Sequence, residues 1–387
     1  MSIRINDEER RGSMNAVKNI LFINDTYDDF NLGCKATTQA MYELMEERLP
    51  QYRVSGVIKL FHTERSEIIG LLPHSEHELD EKCLQVLNQD TAFRFELDKI
   101  RQCDIVLING EGSIYKDVVK CRYQLFLAYL AKKYLGKRVY MVNHTADLSL
   151  IQAMAKVVYV QLDGIVAREP LTKAELETAG IDHVQLGADA VFKFTDMPSQ
   201  FANRLPLGFR FDDKFIIIGG SSLNHPIYEK WYGSWSREDF KELITSIRDH
   251  LGVQVMLADV GGDDFLRGYD VEEGIFYAKF TYQDYMLLAS KALVHLSGRH
   301  HGSCLAAIAG CPLLGLTANT RKMEGDFQLL DWDWPVYSFY RLKEQKNEIV
   351  QSLERMIENN FDLRQQMLRH ARSLYDKARL NVDILRK

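Results

Sequence analysis

The sequence predicts an α/β protein built from two Rossmann-like βα domains facing a central cleft, with helices at its C-terminus. Three observations carry this. Short apolar runs, of the kind buried on both faces of a parallel sheet, alternate with stretches of helical periodicity. The alternation breaks over residues 195–213, where Pro198 and Pro206 fall, and restarts at 214. The chain has 387 residues, more than one core ordinarily holds. The expected layout is a frayed tail (1–16), an N-terminal domain on the acceptor side (17–197) and a link (198–213). A C-terminal domain on the donor and anion side (214–340) and helices packing back on both domains (341–387) complete it.

Taken in order, residues 19–24 form the first buried strand, followed by a polar loop to Gly33. A helix follows, with Ala36, Ala40, Met41, Leu44 and Met45 at helical spacing. Residues 54–60 are a strand, 61–77 are irregular, and 78–102 hold a helix or helix pair. Strand 104–109 ends in Gly110-Glu111-Gly112, read as a turn whose glycines let the backbone approach a ligand. Glu111 there can accept hydrogen bonds from sugar hydroxyls; a solvated Glu in a glycine turn is the alternative. After a helix over 118–135, strand 138–142 ends in Asn143-His144-Thr145. A helix over 148–159 leads to strand Gly164–Ala167, which ends in Arg168-Glu169-Pro170, a candidate anion ligand at a strand end. Helix 171–179 stops at Gly180, and Val184–Leu186 closes with Gly187-Ala188-Asp189.

In the second half, strand 214–218 ends in Gly219-Gly220-Ser221-Ser222. A loop with Trp231, Tyr232 and Trp235 offers faces for a sugar ring or packing for the next helix. Helix 237–251, strand 253–257 with Asp259 and two glycines after it, 275–276 and helix 282–291 lead to the stretch that organises this half, 292–316. There an apolar strand is followed by Ser297, Arg299, His300 and His301 in one turn, then by a helix of small residues, 302–309. Gly310 stops that helix and Pro312 opens the next apolar run. The carboxyl end of a strand and the amino end of a helix favour an anion, and here a guanidinium is added. A turn that only caps its helix is the ordinary alternative. Residues 317–322 form another polar strand end, 329–340 are aromatic-rich, and 347–385 are helical with irregular heptads, which leaves a homodimer open. If the strand ends of both domains face one cleft, Arg299, His301, Lys322, Arg168, Glu111 and Asn143 line it.

Composition excludes several classes. There are 48 Lys and Arg against 54 Asp and Glu, a net charge of −6, with no basic stripe for nucleic acid. No apolar stretch approaches the ~20 residues of a membrane span. The polar first 16 residues carry no signal core, so a cytoplasmic location is expected, with peripheral attachment at the inner membrane face left open. Six cysteines without a CxxC pair read as reduced thiols packed as small hydrophobes. No metal-ligand cluster and no cofactor motif stands out.

Several of these motifs recur together elsewhere: Asn31-Leu32-Gly33, Gly110-Glu111-Gly112, Val166-Ala167-Arg168-Glu169 before a helix and Gly180, Asp189-Ala190-Val191-Phe192, Ser297-Gly298-Arg299-His300-His301, and Lys322. In that order they resemble the polysaccharide pyruvyl transferases, a family with a glycosyltransferase-B-like fold. The fit to the family's Ser-x-Arg-x-His is the most specific part. Cys34 stands where members commonly carry Asp, Gly-Glu-Gly replaces a plain glycine run, and Asn143-His144-Thr145 has no counterpart.

The resemblance implies transfer of a pyruvyl group from phosphoenolpyruvate to a sugar of a cell-surface polysaccharide or its precursor, including a lipid-linked one, usually as a cyclic ketal. The donor's phosphate and carboxylate need fixed cations. Arg299 is suited to bidentate binding, with Arg168 and Lys322 beside it. Protonation of the vinyl carbon suits His301 as general acid, with His300 its structural neighbour. Glu111 is a candidate for orienting the acceptor or acting as base. Ser297, Asn31, Gly33, Gly110, Gly112, Asn143, His144, Gly220 and Ser221 complete the expected substrate contacts. Two other readings compete: a glycosyltransferase using a nucleotide sugar, and a non-catalytic carbohydrate- or phosphate-binding module that needs the cleft but not His301.

Overall fold

The computed structural model describes residues 17–60, 65–89, 91–270 and 272–386; the tail expected over 1–16 and part of 61–77 lie outside these. Two six-stranded sheets, parallel throughout, form the two halves. The first contains β1 (Lys18–Ile23), β2 (Tyr52–Ile58), β3 (Ile105–Tyr115), β4 (Arg138–Asp147), β5 (Gly164–Ala167) and β6 (Val184–Leu186), in the order β2-β1-β3-β4-β5-β6. The second contains β7 (Phe215–Ser221), β8 (Gln254–Asp259), β9 (Ile275–Lys279), β10 (His295–Gly298), β11 (Leu313–Leu316) and β12 (Val336–Tyr337), in the order β12-β11-β10-β7-β8-β9.

The apolar runs are unbroken because both faces of each sheet are covered. In β1, Leu21 and Ile23 enter one core while Ile20 and Phe22 enter another on the opposite face. Helix boundaries follow local chemistry. Helix Arg237–Leu251 starts where the Ser236 hydroxyl accepts the Asp239 N–H and ends at Gly252 with φ 61°. Helix Leu32–Arg48 starts at Asn31, whose side chain accepts the N–H groups of Gly33 and Cys34.

The helical tail is three helices, Leu342–Glu358, Asn360–Ser373 and Tyr375–Asp383. Arg364 donates to Ala292 O at 2.7 Å in the second half. In the first half, Asp383 pairs with Arg48 at 3.1 Å and Asn381 accepts from Asn143 N at 2.9 Å. No helix among the described residues is long and apolar enough to cross a membrane.

Three local expectations change. Gly110-Glu111-Gly112, expected as a turn, and Asn143-His144-Thr145, expected to end its strand, are both strand: β3 and β4 continue through them. Each carries a register shift and a non-glycine residue in the left-handed region, Glu111 at φ 42° and Asn143 at φ 53°. Such bulges re-aim side chains near a site. The helix expected from 302 begins at His300, and the helix Lys322–Leu329 follows β11 where the sequence showed only a polar strand end.

Candidate active site

The carboxyl ends of both sheets enclose a cavity of about 280 Å³. Cys34, Glu111, Gly112 and Arg168 come to it from the first half; Arg299, His301, Asn319 and Lys322 come from the second.

Its floor is organised by Asp189, which sits just after β6 and is 1% exposed. Asp189 Oδ2 accepts from Arg168 Nη1 at 2.9 Å and from His300 Nε2 at 2.9 Å, and lies 3.3 Å from His301 Nε2. Its other oxygen accepts from the Thr37 hydroxyl at 2.9 Å. Burial opposes ionisation, but the neighbouring histidines hold Asp189 well below the usual carboxylate range. His300 also contacts Asp326 through Nδ1 at 2.6 Å. An imidazole flanked by two carboxylates is best served as an imidazolium. Burial and Arg168 pull His300 down, yet the carboxylates of Asp326 and Asp189 outweigh them and raise it. His301 differs: burial takes it to about 4, so near neutrality it is uncharged. Its side chain lies tight against helix Leu32–Arg48, where a Cβ added at Gly33 would stand 2.1 Å from His301 Cβ.

Glu111 reaches the cavity from its bulge in β3. It accepts from Thr26 Oγ1 at 2.7 Å, Asn109 Nδ2 at 3.0 Å and Cys34 Sγ at 3.3 Å. Burial, partly offset by Thr26 and Arg168, raises it to about 7, a proton affinity suited to acid–base work at neutral pH. Left-handed backbone at a non-glycine residue costs about 1–3 kcal/mol and concentrates at functional sites.

Among the cations, Arg168 and Lys322 flank Gly112: a Cβ added there would lie 3.8 Å from Arg168 Nη2 and 3.9 Å from Lys322 Nζ. Lys322 is held by Asn319 Oδ1 at 2.7 Å. Burial, and the positive charges of Arg168 and Arg299, lower it to about 7. Arg299 is not the free fork expected from sequence. Its Nε donates to Asp263 Oδ2 at 2.9 Å, and Nη2 donates to Gly262 O at 3.1 Å and Asp263 Oδ1 at 2.5 Å. It faces the cavity already paired.

Other expected contacts lie behind the wall. Asn143 is fully buried, donating to Thr37 and Asn109 and accepting from Ala190 N, which places Asp189. His144 is buried on Val166 O and stacked on Tyr159; a Cβ at Gly110 would strike it. Ser297 accepts the Arg299 N–H at 3.0 Å, Ser221 donates to Thr317 O, and Gly220 makes room for Asp263. Asn31 lines the cavity, but its side chain is spent as a helix cap. Trp235 packs on Phe240 and Phe265. Conversely, the roles of Asp263 and Asp326 were not expected, and Asp189 stood out only as part of a motif. That motif's place at the polar strand end after β6 is the signal for Asp189.

Asp189, His300 and His301 bring ligand atoms within 4.8 Å of one another, as a metal site would. A cation there would have to displace Arg168 from Asp189 and the proton shared between His300 and its carboxylates, so this donor set fits a guanidinium and a proton.

Fold and site define a two-sheet, glycosyltransferase-B-like protein with a cavity between its halves lined by Arg168, Arg299 and Lys322. Solved structures of the same architecture include a UDP-N-acetylglucosamine 2-epimerase from Neisseria meningitidis bound to UDP-GlcNAc. Its TM-score is 0.58 at 13% identity, over 95% of this chain and 99% of that one. Anabaena HepE in complex with UDP gives a TM-score of 0.55 at 10% identity, over 95% and 97%. At these identities the likeness shows the fold alone. No curated protein sequence matches the chain. The sequence model of the polysaccharide pyruvyl transferase family matches residues 31–319, and the chain belongs to that family.

Proposed function

We propose that the protein transfers the pyruvyl group of phosphoenolpyruvate to two hydroxyls of a saccharide, releasing inorganic phosphate. The observation that carries this is the pairing of Arg168 and Lys322 across Gly112, next to Glu111. It is a small anion cradle with an acid–base group at its edge. A cavity of about 280 Å³ suits a three-carbon phosphate better than a nucleotide sugar.

The proton inventory suggests roles for both groups. Near neutrality Glu111 carries a proton part of the time, while His301 is a free base. This exchanges the roles expected from sequence. Glu111 gives its proton to the CH2 carbon of the donor. A sugar hydroxyl oxygen bonds to the adjacent carbon and its proton passes to His301. The C–O bond to phosphate breaks with the pair leaving on phosphate, which takes the His301 proton. A second hydroxyl closes the ketal and returns a proton to Glu111. Arg168, Lys322 and the paired Arg299 hold the donor's two anionic groups.

The structural neighbours with bound UDP or UDP-GlcNAc keep the nucleotide-sugar reading as the competitor. Phosphate release from phosphoenolpyruvate, measured over a panel of saccharides, separates the two. Wild type releases phosphate only with an acceptor, and Glu111→Gln and His301→Gln each slow it at least ~100-fold. Normal rates in either variant remove that residue's role.

A further inference from the structure

Next to the cationic cavity, between the two halves, lies a larger one of about 760 Å³. The two share a wall. Arg168 and Lys322 face the smaller cavity, whereas their chain neighbours Glu169, Thr320 and Arg321 face the larger.

The chemistry of the larger cavity is the opposite of its neighbour's. Two helix N-termini, of Pro170–Thr178 and Lys322–Leu329, border it, and free N–H groups there would draw a phosphate. Both are already occupied by carboxylates. Glu169 accepts from Leu171 N at 2.7 Å and from Thr172 N at 3.1 Å. Glu324 accepts from its own backbone N–H. Glu175, also on the wall, accepts from Leu148 N at 2.5 Å. With Asp147 the wall carries four carboxyl groups, Asp147, Glu169, Glu175 and Glu324, against one cation, Arg321, so the cavity disfavours further negative charge.

Two buried groups are left without partners. Thr320 is 6% exposed, lines the cavity, and its hydroxyl makes no hydrogen bond. Glu324 Oε2 is buried and unpartnered as well. Unpaired buried polar atoms of this kind cost free energy until a ligand meets them. Tyr232 and Tyr340, stacked at 12° with centroids 6.2 Å apart, border the same space. Aromatic rings, a free hydroxyl and carboxylate acceptors are groups that hold a sugar through its C–H faces and its hydroxyls.

We infer that the larger cavity binds the acceptor, that the sugar unit it takes is uncharged, and that it rejects anionic sugars such as uronates. That the sugar is an acceptor rests on the transfer reading above; that the cavity holds a neutral sugar does not.

The test is saturation-transfer NMR with the methyl glycosides of glucose, galactose and mannose, and competition by methyl glucuronide. Phosphoenolpyruvate binding is followed by calorimetry on the same samples. Thr320→Val keeps the side-chain shape and removes a hydroxyl with no protein partner, so it should fold normally. At least one neutral glycoside should bind, and methyl glucuronide should fail to displace it. Thr320→Val should weaken binding about tenfold, the worth of one hydrogen bond to a buried group. Glu324→Gln should let the glucuronide compete. Binding of no neutral glycoside, displacement by the glucuronide in wild type, or full affinity in Thr320→Val would overturn the assignment. A neutral glycoside bound by a protein that does not bind phosphoenolpyruvate would support the sugar site and remove the transfer reading.

Discussion

His300 and Asp189, 111 residues apart in the chain, meet across the two halves at 2.9 Å. The contact joins the amino end of the helix His300–Ile308 to the loop after β6, and Arg168 donates to the same carboxylate oxygen. One buried carboxylate thus aligns an imidazolium, a guanidinium and the motif histidine His301. Asp189→Asn leaves Arg168 buried with less counter-charge, and a loss of about 3–5 kcal/mol is expected in urea unfolding. A loss under ~1 kcal/mol would mean that the cluster is already neutralised otherwise.

His300 gives this contact a pH dependence. Its folded-state value is raised, so its contribution is complete below the ordinary imidazole value of about 6.5 and fades as pH climbs through the raised value. Wild-type stability should therefore decline on the alkaline side of neutrality. His300→Gln, although less stable overall, should lose that limb in urea midpoints between pH 6 and 9.

On the acid side the sign reverses. Burial takes His144 and His295 to about 3 and His301 to about 4. A histidine depressed in the folded state contributes stability above its unfolded value and loses it as pH falls toward the depressed one. The melting temperature should begin to fall below pH ~6.5. A flat profile from pH 7 to 5 would show that these rings are not buried neutral.

Two glycines give contrasting tests. Gly33→Ala puts a methyl 2.1 Å from His301 Cβ, so the helix or the histidine must move. We expect about 1–3 kcal/mol lost together with turnover. Gly112→Ala meets only ordinary contacts, 3.8 Å and 3.9 Å from the two cations. It should fold like wild type and yet weaken phosphoenolpyruvate at least tenfold, because the methyl enters the space between the two cations proposed to hold the donor. Unchanged affinity would place the donor elsewhere.

Donor affinity should also depend on pH. Lys322 and Glu111 both titrate near 7, and in both the protonated form favours an anion. Affinity should therefore be steady below pH 7 and fall above it. Calorimetry in buffers of different ionisation enthalpy should show proton uptake on binding near pH 7.5. Pure proton release would contradict the assignment.

Where local chemistry decides structure, the sequence was readable. Gly164–Ala167 and Val184–Leu186 are strands as expected, and helix Arg237–Leu251 has its Ser236 cap and Gly252 stop. The readings failed where tertiary hydrogen bonds override local signals. Glu111, Asn143 and His144 read as residues beyond a strand's end, but they continue β3 and β4 because Thr26, Asn109, Thr37 and Val166 satisfy them. Asp263 and Asp326 gave no local sign, since their partners Arg299 and His300 lie 36 and 26 residues away. The free cation expected at Arg299 disappeared for the same reason. Arg168 and Lys322 face the cavity as expected, because they occupy strand and helix ends that topology directs inward, although Arg168 too is paired, with Asp189.

The most direct test of donor identity is calorimetric titration of wild type and Lys322→Met with phosphoenolpyruvate and, separately, with UDP-N-acetylglucosamine. Phosphoenolpyruvate should bind wild type, Lys322→Met should weaken it at least tenfold, and the nucleotide sugar should give no heat of binding. Saturable binding of UDP-N-acetylglucosamine with none by phosphoenolpyruvate would contradict that donor assignment.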